Sequence, residues 1–334
     1  MTPAFDNIRA LAVLSVFILH YCHVYKCSVP FFSSHGGWFG IQLFFILSGY
    51  LIIKSLKKNK LSRYALSRVL RIFPAYIVIT LFVIYLHDIQ YNYLSIHSLA
   101  NLFMLQHVFP VSLIRGDVLH VTWTLTIELF WYFIAPVILI LLQKSSKITL
   151  IASILFSSTF VIIANMGFFD LFYHRHFEIL GLKGWIGNRN FFITNSFFGQ
   201  LCYFVLGGFI FYNRQNILQI PSIFLILTGI TGIILSIYLI FDFITPNILT
   251  GISLSCVFIF FMKHLNFKIS LLNYISKISY SFYLLHFPII LYVKYNLHIY
   301  DNVGGLFCSF LITISLSTFF YIIVEKQFMK IYLK

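Results

Sequence analysis

The chain has 334 residues, 60% of them hydrophobic and 10% charged, with a formal net charge of +14. A soluble domain has no use for so many apolar residues, so composition excludes a globular protein in water and points to a chain that spans lipid many times. The basic excess then reads as membrane topology, and nucleic acid is not called for as a partner.

The first predicted span runs from about Ala10 to Tyr25, behind Arg9. It carries no cleavage-site signature and is read as a retained helix, not a signal peptide. A second span covers about Gly36–Ile53 and is followed by the densest basic run, Lys54, Lys57, Lys58, Lys60, Arg63, Arg68 and Arg71, expected as a cytoplasmic loop. The third span, about Ile72–Leu86, leads outward to residues 88–120, a mixed segment with a short apolar piece (Leu99–Leu105) and Pro110, expected as an outer surface or re-entrant stretch. Val121–Leu142 returns to Lys144 and Lys147, and Ile148–Met166 exits to a polar loop bearing Asp170, His174, Arg175, His176, Glu178, Lys183 and Arg189. The remaining spans are Phe191–Tyr212, Pro221–Phe241, Pro246–Met262, Leu272–Val293 and Val303–Val324.

This order gives an all-α, polytopic helical membrane bundle of about ten transmembrane helices with both termini cytoplasmic. Seventeen of the 23 basic residues then fall inside, and the six outside are Lys26, Arg115, Arg175, Lys183, Arg189 and Lys294. Residues 1–334 are expected to form a single transmembrane domain, with no internal repeat and no appended soluble domain. The five cysteines show no metal-ligand spacing, so no metal is expected. Cys22 and Cys27 are near enough in sequence to pair, but a disulfide is not expected there.

Arg9 and His20 are eleven residues apart, about three helical turns, so they share one face and are separated by about 16 Å along the axis. His20 then lies near mid-membrane, where ionisable groups are expensive and by default functional. A histidine in a wet helix contact is the plainer alternative. Glu128, in Trp123-Thr124-Leu125-Thr126-Ile127-Glu128, falls at similar depth, and a Glu128–His20 pair would make a base with an orienting partner. A structural helix-to-helix hydrogen bond is its alternative. His286 also lands at mid-depth, two residues before Pro288, whose missing N–H frees a carbonyl that the histidine could instead cap. Arg68 and Arg71 share a face at the cytoplasmic mouth and, with Arg9, could grip phosphates. Topology and lipid headgroups explain them equally well. Gly40–Tyr50 looks like small-residue helix packing, and a catalytic Ser48 has no nucleophile elbow around it. Glu325 is expected to close the last span in a pair with a nearby Arg or Lys.

Six motifs occur in order over Phe5–Glu325: Arg-x10-His, Phe-Phe-x-Leu-Ser-Gly-Tyr-Leu-Ile, Arg-x-x-Arg-Ile-x-Pro-x-Tyr, Trp-Thr-Leu-x-x-Glu-Leu, Ser-Tyr-Ser-x-Tyr-Leu-Leu-His-x-Pro and the closing Glu325. Together they resemble the bacterial acyltransferase-3 family of integral membrane O-acyltransferases. One departure is Gln327, where the family often has Pro. The resemblance implies transfer of an acyl group, usually acetyl from cytoplasmic acetyl-CoA, to a hydroxyl of a cell-surface or secreted glycan, by a multi-pass protein of the bacterial cytoplasmic membrane. Carried over, Arg9, Arg68 and Arg71 would bind the acetyl-CoA donor, while His20, Glu128 and His286 would be catalytic. Some members carry a fused extracytoplasmic domain that finishes transfer, so this chain would act alone or hand on to a separate extracytoplasmic protein. The partners implied are the glycan acceptor and the bilayer. A glycan or lipid exporter with a buried proton relay, and a structural subunit of a polysaccharide-synthesis complex, are the competing classes. The missing repeat symmetry speaks against a transporter.

Overall fold

The computed structural model describes residues 3–87, 95–105, 112, 117–169, 196–238 and 245–333. The expected outer loop around Asp170–Arg189, together with Asp88, Pro110, Arg115, Asp242 and Lys334, lies outside them. The described residues contain no strand. Each of the ten apolar segments forms a helix: α1 (Pro3–Tyr25), α2 (Gly37–Lys58), α3 (Leu61–Leu86), then after the short α4 (Ile96–Leu102), α5 (Trp123–Lys144), α6 (Ser146–Asn165), α7 (Phe197–Tyr212), α8 (Ser222–Tyr238), α9 (Thr245–His264), α10 (Ser270–Tyr295) and α11 (Asn302–Phe320). A π turn, Tyr321–Glu325, joins α11 to α12 (Lys326–Leu333). Six helices among the described residues are long and apolar enough to cross a membrane: Pro3–Tyr25, Gly37–Lys58, Leu61–Leu86, Trp123–Lys144, Ser146–Ala164 and Asn302–Ile331.

Three boundaries differ from the sequence expectation. Helix α1 begins at Pro3, not Ala10, because its first turns are buried: the Asn7 amide donates to the carbonyls of Leu265 and Phe267, each at 3.0 Å, pinning α1 to the turn before α10. The basic run is mostly helix. Lys54, Lys57 and Lys58 lie at the end of α2, Arg63, Arg68 and Arg71 on α3, with only Asn59 and Lys60 between. Lysines in the last turn suit the negative end of a helix dipole, and the Asn59 amide satisfies the Ser55 carbonyl at 2.9 Å. The last span gives way at Tyr321 to the π turn, which carries Glu325. Residues 96–102 are the short helix α4, capped by the Ser95 hydroxyl.

The site depends on α2, which is gripped on two sides through glycine. A Cβ at Gly40 would press on the Ala12 carbonyl of α1, while one at Gly49 would overlap the Phe204 carbonyl of α7. Gly207 on α7 meets the Ile46 carbonyl of α2 in return. Backbones this close are the membrane form of small-residue packing, and only hydrogen at Cα permits it. Phe45, Phe204 and Trp131 stack across this contact at centroid separations of 4.7 and 5.0 Å, fixing α5 against α7 and α2. On the other side Phe17 of α1 packs on Phe282 of α10 at 5.7 Å and on Phe310 of α11 at 5.6 Å.

Candidate active site

Arg9 is buried near the start of α1. Its Nη1 lies 3.8 Å from Asp6 Oδ1 and 3.5 Å from Ser276 Oγ, and the Ser276 hydroxyl donates to the same Asp6 oxygen at 3.0 Å. The guanidinium is thereby held between α1 and α10 at the end of the bundle where the basic residues gather. It lines a cavity of 330 Å³ shared with Lys54, Lys58, Arg68 and Arg71. Five cations and one acid, Glu128, thus face a single space, an arrangement suited to a polyanion.

The two predicted arginines of α3 are held differently. Arg68 stands over the rings of Tyr132 and Tyr64, 5.7 and 5.8 Å from their centroids, and its Nε donates to Ser67 Oγ at 3.2 Å. Cation–π contacts of this kind contribute about 0.5–2 kcal/mol and fix the plane of the guanidinium. Arg71 has no hydrogen-bond or ion-pair partner among the described residues. Its side chain lines the 330 Å³ cavity and also a second, narrower one of 60 Å³.

Glu128 joins the two cavities. Its Oε1 accepts from Ser48 Oγ at 3.0 Å and from the Tyr132 phenol at 2.5 Å, and the carboxylate lines both spaces together with Phe44, Arg71 and Tyr132. The expected Glu128–His20 pair is therefore corrected: the carboxylate is held by α2 and by its own helix. Ser48, doubtful as a nucleophile, is one of its donors. Tyr132 sits at i+4 from Glu128, so helical spacing alone places both on one face.

From this junction the narrow cavity runs between Val13, Val16 and Ile41 toward Thr124 and Tyr283. The Tyr283 phenol closes it, bonded to Thr124 Oγ1 at 2.7 Å and to the Val121 carbonyl at 3.1 Å. Tyr283 also acts through its main chain, because its carbonyl lies 2.7 Å from His286 Nδ1. A carbonyl only accepts, so His286 carries its proton on Nδ1. The Nε2 lone pair then faces His20 Nδ1 at 2.7 Å and takes its N–H. For neutral rings this chain of roles leaves a bare lone pair on His20 Nε2. The two rings are nearly coplanar, 10° apart, and Phe287 stands edge-on to His20 at 4.9 Å.

His286 is fully buried and His20 half-buried. The carbonyl that His286 engages belongs to Tyr283, three residues back, and not to Leu284, which Pro288 leaves without its usual donor. The Pro288 carbonyl itself accepts from His87 at 3.1 Å. Glu325 is buried and accepts from the Ser281 N–H at 3.0 Å and from the Ser281 hydroxyl; among the described residues no Arg or Lys is within ion-pair distance, and Arg71 is the cation within its electrostatic reach. Cys22 and Cys27 are free thiols with sulfurs 3.1 Å apart. Of the six residues singled out in the sequence, Arg9, Arg68, Arg71 and Glu128 share the larger cavity, and His20 and His286 form a separate pair at the far end of the narrow one. Tyr132 and Tyr283, which connect the two groups, were not singled out.

A basic vestibule, a narrow passage and an imidazole pair thus follow one another within a bundle of helices. The chain belongs to the acyltransferase-3 family, whose acyltransferase domain matches residues 2–322. Its six helices long and apolar enough to cross a membrane accord with a multi-pass membrane protein.

Among curated relatives, a peptidoglycan O-acetyltransferase, OatA, of Listeria monocytogenes is 30% identical over 164 residues, covering 43% of this chain and 25% of that protein. A Staphylococcus aureus protein named as an O-acetyltransferase is 31% identical over 170 residues, covering 43% of this chain and 26% of the relative. A protein of Acidianus two-tailed virus named as an acetyltransferase is 28% identical over 191 residues, covering 55% of this chain and 56% of its own length. The matches thus span about a quarter of the two bacterial proteins and about half of the viral one. No solved structure matches the chain.

Proposed function

We propose that this protein moves an acyl group, acetyl in the first instance, from cytoplasmic acyl-CoA to a hydroxyl of a cell-surface or secreted glycan. In this reading the ten long helices span a bacterial cytoplasmic membrane, and both termini lie inside with the basic cavity. The observation that carries the proposal is the continuity of the two cavities through Phe44, Arg71, Glu128 and Tyr132, with cations at one end and the histidine pair beyond the other.

The donor set fits CoA. Its phosphates need several cations at once, and Arg9, Lys54, Lys58, Arg68 and Arg71 supply them around one space. Apolar walls from Val13, Val16, Ile41 and Phe44 suit a slender pantetheine arm and exclude water from the passage. When bound, the thioester supplies the activated acyl group.

The residues of the chain do the rest. The Tyr283 carbonyl fixes the His286 tautomer, and His286 holds His20 by its Nδ1–H. His20 Nε2 is left to take the proton of the acceptor hydroxyl as its oxygen attacks the thioester carbonyl, and to give that proton to the thiolate released when the C–S bond breaks. Ser48 and Tyr132 keep the Glu128 carboxylate at the mouth of the passage, which Arg71 also lines.

A cell-wall glycan of the kind named for the Listeria relative is the first acceptor to test. Purified protein in lipid nanodiscs should release free thiol from acetyl-CoA, and surface glycans of a deletion strain should lose O-acetyl groups by mass spectrometry. A folded protein that releases no thiol, from a strain whose glycans are unchanged, would instead be an exporter or a structural subunit.

A further inference from the structure

Beyond the histidine pair, at the end of the bundle away from the basic cavity, the turn into α5 is built around one carboxylate. Asp117 is buried. Its Oδ1 accepts from the N–H groups of Leu119 at 3.1 Å and His120 at 2.9 Å, and its Oδ2 accepts from Thr122 N–H at 3.1 Å. Three charge-assisted bonds to one side chain leave the turn little freedom. They hold His120 at φ 58°, a left-handed conformation that costs a residue with a Cβ about 1–2 kcal/mol.

The strained residue is also an exposed one. Its ring stands 5.4 Å from Phe287, the same phenyl that stands edge-on to His20 at 4.9 Å. Two imidazoles therefore flank one ring, and His120 lies within electrostatic reach of His20. His87, just past the end of α3 and bonded to the Pro288 carbonyl, supports the same region. Asp117 bonds the N–H groups of the turn and the Thr122 hydroxyl, and the His120 ring is not among its hydrogen-bond partners in the described residues.

We propose that His120 is an acceptor-binding residue, a hydrogen-bonding imidazole that holds a polyhydroxyl acceptor, a glycan, so that one of its hydroxyls meets His20. The proposal rests on the acyl-transfer reading above. A glycan carries hydroxyls along its whole length, so an acceptor with one hydroxyl at His20 presents others to a second imidazole on the far side of Phe287. An imidazole both donates and accepts, which suits a hydroxyl in either role. Holding the acceptor in place is where an enzyme gains most from geometry.

The test uses His120→Gly, which removes the side chain while leaving a residue at ease with positive φ. The full-length variant is returned to a deletion strain, and two quantities are read: O-acetyl content of the cells' own glycans by mass spectrometry, and hydrolytic thiol release from acetyl-CoA by isolated membranes. Glycan acetylation should fall about tenfold or more while hydrolytic thiol release is unchanged. His120→Asn, which tolerates the left-handed turn and keeps a donor and an acceptor, should restore part of it. Asp117→Asn, which cannot accept from Thr122 N–H through its amide nitrogen, should give the same split as His120→Gly and serves if that variant fails to insert. Unchanged glycan acetylation, or equal loss of both quantities, overturns the assignment. Wild-type protein that neither releases thiol nor restores glycan acetylation removes the acyl-transfer reading, and this inference with it.

Discussion

His20 Nδ1 and His286 Nε2 lie 2.7 Å apart, and the proton between them belongs to His20 because the Tyr283 carbonyl claims the other nitrogen of His286. The pair is asymmetric: one imidazole orients, the other is left with a free lone pair. His20→Ala should therefore lower acyl transfer by a factor on the order of 10² or more, while a CoA analogue still binds at the basic cavity. His23, one turn further along α1 and exposed, is the internal control, and His23→Ala should be mild. Near-normal transfer by an inserted His20→Ala protein would sink the mechanism.

For His286 the expectation separates orientation from presence. His286→Gln retains an acceptor for the His20 N–H but loses the ring that reaches it, so it should reduce kcat roughly tenfold with little change in the KM for acetyl-CoA. His286→Ala should cost more. Steady-state kinetics on both variants, compared with wild type, make the check. A KM effect without a kcat effect would place His286 in donor binding.

Arg71 and Arg68 should differ although they sit three residues apart. Arg71→Ala removes a guanidinium that lines both cavities and should raise the KM for acetyl-CoA about tenfold, with Lys restoring only part because an ammonium lacks the planar fork. Arg68→Ala also strips the cation from the Tyr64 and Tyr132 rings, so it should lower thermal stability as well. Binding isotherms and melting curves on the two variants separate the roles, and identical behaviour would contradict the geometry.

At Gly49 the prediction concerns stability alone. A valine there drives its side chain into the Phe204 carbonyl and must push α7 from α2, at a cost of about 1–3 kcal/mol. The cavities are lined by other faces of α2, so a surviving fraction should bind acetyl-CoA with an ordinary affinity. Detergent-resistance melting would show the loss, and an unchanged melt would mean that the helices part easily here.

Periodicity and composition made much of this architecture legible. The Arg9–His20 interval is set by helix geometry, the packing role of the glycines near Ser48 follows from their size, and ten apolar segments do form ten helices. What failed were lateral relationships. Depth along a helix put Glu128 level with His20, but which faces meet is decided by packing, and α2 supplies the serine that holds the carboxylate. The basic run was expected as a loop because of its charge, yet Lys and Arg are good helix formers and lie within α2 and α3. The connecting tyrosines had a usable signal: Tyr132 is at i+4 from Glu128, and Tyr283 at i−3 from His286.

Tyr283 performs two jobs with two different parts of itself. Its phenol roofs the narrow passage, whereas its main-chain carbonyl sets the histidine tautomer. A carbonyl is present whatever residue occupies the position, so the basicity of the pair is insulated from mutation there. Exchanging the side chain reshapes only the roof. On the acyl-transfer reading, a smaller or larger side chain at position 283 would therefore change the bulk of acyl group admitted while leaving the tautomer of the histidine pair in place.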